Sequence, residues 1–301
     1  MQNPNWKGVF PAVTTQLHRD QSVDLEATAR HIEVLLASGV QGLIMLGSLG
    51  ENTLLEPEEK RSVMRMAIEV SGGRVPVLSG VAELSTAASC RYVRDMEKLG
   101  ADGVMVLPAM VYKAQPEEAL AYFRTVARAT GLPIIVYNNP IAYYVDITPP
   151  MFEQLADEEN LVAIKESSGD VRRVTDIINQ VGNRYTLFAG VDDLIVESVM
   201  LGAEGWIAGM GLAFPKENQH LWNLAASGRW EEARTLYRWY TPLLHLDIPI
   251  KFVQYIKLAI QECGLGAEWV RAPRLPLQGE ERARILTIIH TGLETRPEIG
   301  R

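Results

Sequence analysis

The sequence predicts a (β/α)8 barrel followed by a C-terminal helical region. Eight short apolar runs recur along most of the chain, each followed by a stretch with helical spacing, the pattern of a parallel sheet wrapped by helices. No G-x-G-x-x-G follows the first run, so a doubly wound open sheet has little support. From Pro215 onward the pattern is helical only, more chain than one closing helix needs. The barrel is expected over residues 1–225, with a helical region over 226–301 packed on it.

Taken in order, residues 8–14 read as the first strand and 24–38 as a helix with Leu25, Ile32, Leu35 and Leu36 on one side. Residues 42–47 are the second strand. The helix at 57–70 opens on Pro57, where the missing N–H costs nothing, and Glu58 and Glu59 suit the positive end of its dipole. Strands at 75–80, 103–107 and 132–137 alternate with helices at 85–99, 116–130 and 149–156. In the sixth strand, Val162, Ala163 and Ile164 are apolar without alternation, as in strands buried on both faces. That run ends in Lys165, and Ser167, Ser168, Gly169 and Asp170 signal a turn before a helix at 171–181. Strands at 186–190 and 205–209 complete the eight, with a helix at 192–201 between them. Helical segments at 215–227, 230–244, 250–263 and 279–293 finish the chain.

Composition narrows the function classes. Apolar residues make up 47% of the 301-residue chain and charged residues 22%, as in an ordinary globular protein. A net charge of −8 argues against nucleic acid and anionic membranes as partners. Cys90 and Cys263 match no metal or redox spacing and read as reduced thiols. The opening residues carry no basic-then-apolar signal and no apolar run reaches membrane-spanning length, so a soluble, cytoplasmic protein is expected. No cluster of His, Cys and carboxylate has ligand spacing, and no metal is expected.

In such a barrel the active site lies at the C-terminal ends of the strands. Those ends carry Thr14 and Thr15, then Gly47-Ser48-Leu49-Gly50-Glu51-Asn52, then Tyr137-Asn138-Asn139-Pro140, then Lys165, Gly190 and Gly209-Met210-Gly211. Burial disfavours a charged lysine and lowers its pKa, which suits an amine that attacks a carbonyl; a lysine that merely snorkels to solvent is the plainer alternative. Strand alternation puts Ala163 and Lys165 on one face and Ile164 and Glu166 on the other. If Lys165 points inward, Glu166 points towards the helices and is not its base. Ile135 and Tyr137 likewise share a face, which places Tyr137 beside Lys165 as a phenol able to move protons, unless it only bonds a backbone carbonyl. The Gly-Ser turn at the second strand offers backbone N–H groups for a carboxylate, and the glycines at strands seven and eight leave room at the mouth. Phosphate binding at those glycines would want a basic residue beside them, and none is seen. His18, His31, His220 and His290 read as surface or capping residues, whereas His245 has reach to an interface or the mouth.

These residues resemble a known family. Gly47-Ser48-Leu49-Gly50-Glu51, Tyr137-Asn138-Asn139-Pro140, Ile164-Lys165-Glu166-Ser167 and Gly202-Ala203-Glu204-Gly205-Trp206-Ile207 stand in the order and spacing of the dihydrodipicolinate synthase/N-acetylneuraminate lyase family. Phe10-Pro11-Ala12-Val13-Thr14-Thr15 and Pro273-Arg274-Leu275-Pro276-Leu277 also resemble it, so the likeness covers almost the whole chain. The resemblance implies a TIM barrel with a helical C-terminal region, usually a homotetramer, with no cofactor. It implies that Lys165 forms a Schiff base with a 2-oxo acid such as pyruvate, that Tyr137 relays protons, and that Ser48 and neighbouring amides bind the carboxylate. Leu49, Thr14, Tyr112, Tyr143, Gly190 and Gly209 complete the expected substrate-binding set.

Three departures bear on the substrate. Leu49 stands where the synthases typically have a second threonine, and it passes no proton. Ala142 stands where they have an arginine for the second substrate's carboxylate, and Tyr143 and Tyr144 follow it. Met110-Val111-Tyr112 corresponds only loosely to their paired tyrosines, one of which crosses to a neighbouring subunit. The Leu49 variant and the segment 242–247 resemble the 1-pyrroline-4-hydroxy-2-carboxylate deaminase branch. The expected activity is therefore that of a Schiff-base lyase acting on a small 2-oxo acid or its cyclic imine, with that deaminase as the finer reading. 4-Hydroxy-tetrahydrodipicolinate synthase, or another 2-oxo acid aldolase or dehydratase, is the alternative; a non-catalytic 2-oxo acid-binding protein is the rival from another class.

Overall fold

In a computed structural model of the chain, which describes residues 4–109 and 112–299, the eight apolar runs form eight parallel strands. They are β1 (Gly8–Val9), β2 (Leu43–Met45), β3 (Val77–Val81), β4 (Gly103–Val106), β5 (Ile134–Asn138), β6 (Leu161–Glu166), β7 (Thr186–Ala189) and β8 (Gly205–Trp206). Each pairs with its sequence neighbour and β1 pairs with β8. A parallel bridge between Ala12 and Ile44 joins the β1 segment to β2, so the ring of a TIM barrel closes and leaves no sheet edge.

The helices between them are α1 (Leu25–Ala37), α2 (Pro57–Ser71), α3 (Thr86–Leu99), α4 (Pro116–Ala127), α5 (Pro140–Tyr143), α6 (Pro149–Gln154), α7 (Arg172–Val181), α8 (Ile195–Met200) and α9 (Pro215–Ala226). Their starts follow from local chemistry. Asp24 accepts from Ala27 N–H to cap α1 and Ser85 from Ala88 N–H to cap α3. Glu56 with Glu59, and Gln115 with Glu118, form reciprocal capping boxes ahead of Pro57 and Pro116, which satisfies backbone donors that a helix start leaves unpaired.

Several strands are shorter than the sequence suggests, with β1 and β8 down to two residues each. Residues 8, 10 and 12 donate to the β8 side, and residues 9, 11 and 13 face β2. Pro11 has no N–H to give β2, so β1 meets β2 through the single Ala12–Ile44 bridge and not through a continuous ladder, and regular pairing with β8 covers only Gly8 and Val9. At the other end, Gly209 and Met210 turn their N–H groups to the Asp192 carboxylate, which draws the chain off the sheet soon after Trp206. The helix expected at 192–201 splits into a 3-10 turn at Asp192–Leu194 and α8. The four-residue α5 goes unpredicted, although Asn139 caps it and Pro140 opens it. His31 is another difference. It lies on the buried face of α1, 1% exposed, with Nε2 against the Leu212 carbonyl at 2.8 Å, so it is neither a surface nor a capping residue.

The barrel interior is filled rather than hollow. Phe10 and Phe188 meet edge-to-face at 5.2 Å between ring centroids. A Cβ on Gly42 would lie 2.1 Å from the Phe10 ring, and one on Gly205 2.3 Å from the Phe188 ring, so these two glycines make room for the rings. Burying each ring stabilises the fold by about 1.5–3 kcal/mol.

After α9 the chain continues as α10 (Trp230–Leu244), a 3-10 turn (His245–Asp247), α11 (Phe252–Glu262) and α12 (Gly279–Glu294). Their apolar faces share one core cluster with the barrel. Polar ties reinforce the joint. Lys257 on α11 is wholly buried and reaches Glu51 beyond β2 at 2.6 Å, Arg271 pairs with Glu59 on α2, and Arg296 pairs with Glu217 on α9. Among the described residues, no helix is long and apolar enough to cross a membrane.

Candidate active site

The site is built at the C-terminal ends of β5 and β6. Tyr137 and Lys165 are register partners on these adjacent strands, and register partners project to the same face. Lys165 is 7% exposed, and its Nζ lies 4.2 Å from the centre of the Tyr137 ring. Burial pushes the lysine amine below its ordinary value, against an electrostatic pull from Asp247, Tyr143 and Asp192. Burial also raises the Tyr137 phenol, which a hydrogen bond from Asn139 Nδ2 at 3.2 Å partly offsets.

Glu166 takes the opposite face. It accepts from Asn138 Nδ2 at 3.0 Å and from Ser168 N–H at 2.6 Å. Asn138 in turn accepts from Ile147 N–H, and Arg173 holds Asp146 beside it. This outward network braces the ends of β5 and β6 from behind and leaves the inward pair to the pocket.

A second tyrosine joins them. The αL residue Tyr144 (φ +60°) ends α5, and Tyr143 turns back over the site with its ring edge-on to Tyr137 at 5.7 Å. The Tyr143 hydroxyl meets Ser48 Oγ, so Ser48, Tyr143, Tyr137 and Lys165 form one connected group. The turn that carries Ser48 is held in an uncommon backbone shape. Leu46 and Glu51 both have positive φ, which costs a non-glycine residue of the order of 1–2 kcal/mol and persists only where the surroundings fix it. Asn52 does part of that work by donating to the carbonyls of Leu46 and Gly80.

Gly190 is next to Lys165 for reasons of space. A Cβ there would stand 2.0 Å from Ser167 Oγ and 2.8 Å from Cγ and Cε of Lys165. Ser167 Oγ is itself buried with no hydrogen-bond partner among the described residues. Gly209 serves in the same way for Asp247, whose Oδ1 would be 2.5 Å from a Cβ on that glycine.

The remaining expected residues are held by other contacts. Thr14 is buried and accepts from Gln16 Nε2 at 3.0 Å; its neighbour Thr15 donates to the Gly50 carbonyl and so supports the Ser48 turn. Leu49 is packed in the apolar core. Tyr112 is 59% exposed and donates to Glu118 on α4 at 2.6 Å, while Met110 and Val111 lie outside the described residues. His245 bonds Asp193 at 2.7 Å.

Sequence reasoning missed Asp192 and Asp247 as neighbours of the lysine. Asp192 lies two residues past the Gly190 strand end and was visible there as a polar residue. Asp247 comes from the helical region, and no local pattern ties it to Lys165.

The dihydrodipicolinate synthetase family matches residues 5–291. A 4-hydroxy-tetrahydrodipicolinate synthase of Phocaeicola vulgatus is 32% identical over 90% of this chain and 91% of its own length. The 4-hydroxy-tetrahydrodipicolinate synthase 1 of Halalkalibacterium halodurans is 30% identical, over 92% and 94%. Among solved structures, YagE, a prophage protein of the dihydrodipicolinic acid synthase family from E. coli K12, was determined in complex with pyruvate. It superposes with a TM-score of 0.90 at 29% identity, over 96% of this chain and 99% of its own.

Proposed function

We infer that this chain, which belongs to the dihydrodipicolinate synthetase family of class I lyases, forms its Schiff base on Lys165 with a small 2-oxo acid or its cyclic imine. The observation that carries the reading is the buried Lys165 amine set against Tyr137 on the adjacent strand. Burial keeps part of the amine unprotonated, so its lone pair can attack the ketone or imine carbon. When the ketone oxygen leaves as water it needs a proton, and the Tyr137 hydroxyl supplies it, with Tyr143 and Ser48 continuing the hydroxyl chain towards the Ser48 turn. The substrate carboxylate sits at that turn, on Ser48 and the adjoining backbone N–H groups. The resulting iminium is an electron sink. Loss of a proton from the carbon next to it gives an enamine, whose electron pair can expel a group from the following carbon, and water then releases the product from the lysine.

Within that chemistry we favour the deaminase that takes 1-pyrroline-4-hydroxy-2-carboxylate. Leu49 and Ala142 remove a hydroxyl and an arginine that the lysine-pathway synthases use, and Tyr143 fills the position against Ser48. The synthase is the second reading, favoured by the names of the relatives. A cytoplasmic homotetramer belongs to the same proposal, and light scattering on the purified protein tests the assembly.

The deciding experiment is reduction with borohydride in the presence of pyruvate, followed by peptide mass spectrometry, and turnover of hydroxypyrroline carboxylate against pyruvate plus an aldehyde. A stable adduct on Lys165, lost in Lys165→Ala, is the expected result. Failure of every 2-oxo acid and imine to label Lys165 would overturn the mechanism. Turnover of pyruvate plus an aldehyde alone would replace the deaminase with the synthase reading.

A further inference from the structure

The Ser48 turn is held from two sides, and one of them belongs to the C-terminal helical region. Leu46 and Glu51, which bracket the turn, both have positive φ. The chain between them folds back so closely that a Cβ on Gly50 would lie 2.9 Å from Leu46 Cα. Strained backbone of this kind persists only where contacts fix it. On the barrel side, Asn52 donates to the Leu46 carbonyl and Thr15 to the Gly50 carbonyl, and Glu51 N–H closes the turn on the Ser48 carbonyl at 3.1 Å. The N–H groups of Ser48, Leu49 and Gly50 donate to no backbone carbonyl among the described residues, although Leu49 and Gly50 are buried. Consecutive N–H groups left free in a turn suit an anion.

The other side acts through the Glu51 carboxylate, which is buried and has both oxygens engaged by the C-terminal region. Oε2 accepts from Lys257 Nζ on α11 at 2.6 Å, and Oε1 from Arg271 N–H at 3.1 Å, with Arg274 Nη1 farther off at 3.5 Å. Lys257 also donates to the Trp269 carbonyl at 2.8 Å, so one amine joins the turn, α11 and the segment 269–274. The Arg271 side chain fastens that segment to the barrel independently, through the carbonyls of Gln21 and Leu54 and the carboxylate of Glu59. A buried ion pair adds little to stability over apolar residues of the same size, so stability alone does not account for this one.

We propose that Lys257 is a positioning residue for the substrate: through Glu51 it holds the Ser48 turn in the shape that presents its free N–H groups to the carboxylate of the 2-oxo acid. The proposal rests on the reading that puts the ketone on Lys165 and the carboxylate at that turn. The C-terminal region is then part of the substrate site, although it supplies none of the reacting groups. Because Arg271 keeps that region docked, breaking the pair loosens the turn without releasing the helices.

The test is borohydride trapping on Lys165, well below the melting temperature, with pyruvate and with methyl pyruvate, which offers the same ketone but no carboxylate. In Lys257→Met the apparent affinity for pyruvate should fall by about tenfold or more, the range for hydrogen bonds to a charged group, while that for methyl pyruvate stays within about threefold. A merely structural loss would fall on both compounds alike and leave their ratio unchanged. Combining Lys257→Met with Glu51→Gln removes the stranded charge, and this double variant carries the test by itself if the single one folds poorly. Its turn is still unheld, so pyruvate should stay weak relative to methyl pyruvate. Equal losses for both compounds, no loss for either, or a double variant with the parent ratio would show that the pair does not position the turn, and the Schiff-base reading would stand. An intact enzyme that takes methyl pyruvate as readily as pyruvate would remove the carboxylate from the turn, and this inference with it. If neither compound labels Lys165 in the intact enzyme, the Schiff-base reading falls as well.

Discussion

Replacing Lys257 with methionine probes how firmly the helical region is tied to the barrel. The Lys257 amine is fully buried, 2.6 Å from Glu51 Oε2 and 2.8 Å from the Trp269 carbonyl. Methionine keeps most of the chain volume but leaves Glu51 Oε2 and that carbonyl without their donor. Glu51 Oε1 retains only Arg271 N–H at 3.1 Å and a long contact to Arg274 at 3.5 Å. Breaking one side of a buried pair costs about 3–5 kcal/mol. With an unfolding entropy of about 2.1 cal/mol/K per residue, the 301 residues convert that loss to a fall in Tm of about 5–8 °C. Calorimetry on the purified variant reads it directly. Adding Glu51→Gln to Lys257→Met removes the stranded charge and should recover part of the loss, because deleting both partners of a buried pair is often close to neutral. A Tm for Lys257→Met within about 2 °C of the parent, or a double variant that falls by the full sum of the two single losses, would refute the reasoning.

Two further outcomes follow from the same coordinates. Gly190→Ala puts a methyl group on Ser167 Oγ and the Lys165 stem; overpacking of this kind costs about 1–3 kcal/mol of stability, and the displaced amine should slow pyruvate trapping by roughly 100-fold, so a normal trapping rate would show that Lys165 does not need that space. His31 has its pKa lowered by burial from 6.5 to about 4, against its bond to Leu212. The unfolded chain therefore binds the proton first, and stability that is fully present above pH 6.5 falls away as pH drops towards about 4, by a total of about 3 kcal/mol. His31→Gln should flatten that decline in denaturant titrations at pH 7 and 4.5, and equal declines in both proteins would show that His31 does not titrate on unfolding.

The alternation of strands and helices was legible from end to end, because apolar periodicity is a local property and each βα unit carries its own. Alternation along a strand was enough to set Lys165 and Glu166 on opposite faces, and the structure gives Glu166 the outward network with Asn138 and Ser168. Strand ends were less legible. Pro11 breaks the pairing of β1 with β2 through a hydrogen bond it cannot make, and Asp192 shortens β8 by capturing the N–H groups of Gly209 and Met210; the second effect requires a residue that sequence spacing does not connect to its target. The burial of His31 depends on the carbonyl of Leu212, far along the chain.

By itself, then, the sequence determined the barrel, the helical region after it, and the placing of a lysine and a tyrosine at neighbouring strand ends, since all three follow from short-range pattern and strand geometry. Only the tertiary structure decided what surrounds them. Tyr143 reaches Ser48 because a short helix ends in a left-handed residue and turns the ring inward, and Asp247 reaches the mouth because α10 folds its following turn over the end of β8. Both contacts depend on the closure of a ring and the packing of a helix upon it, which bring together residues that the chain keeps far apart.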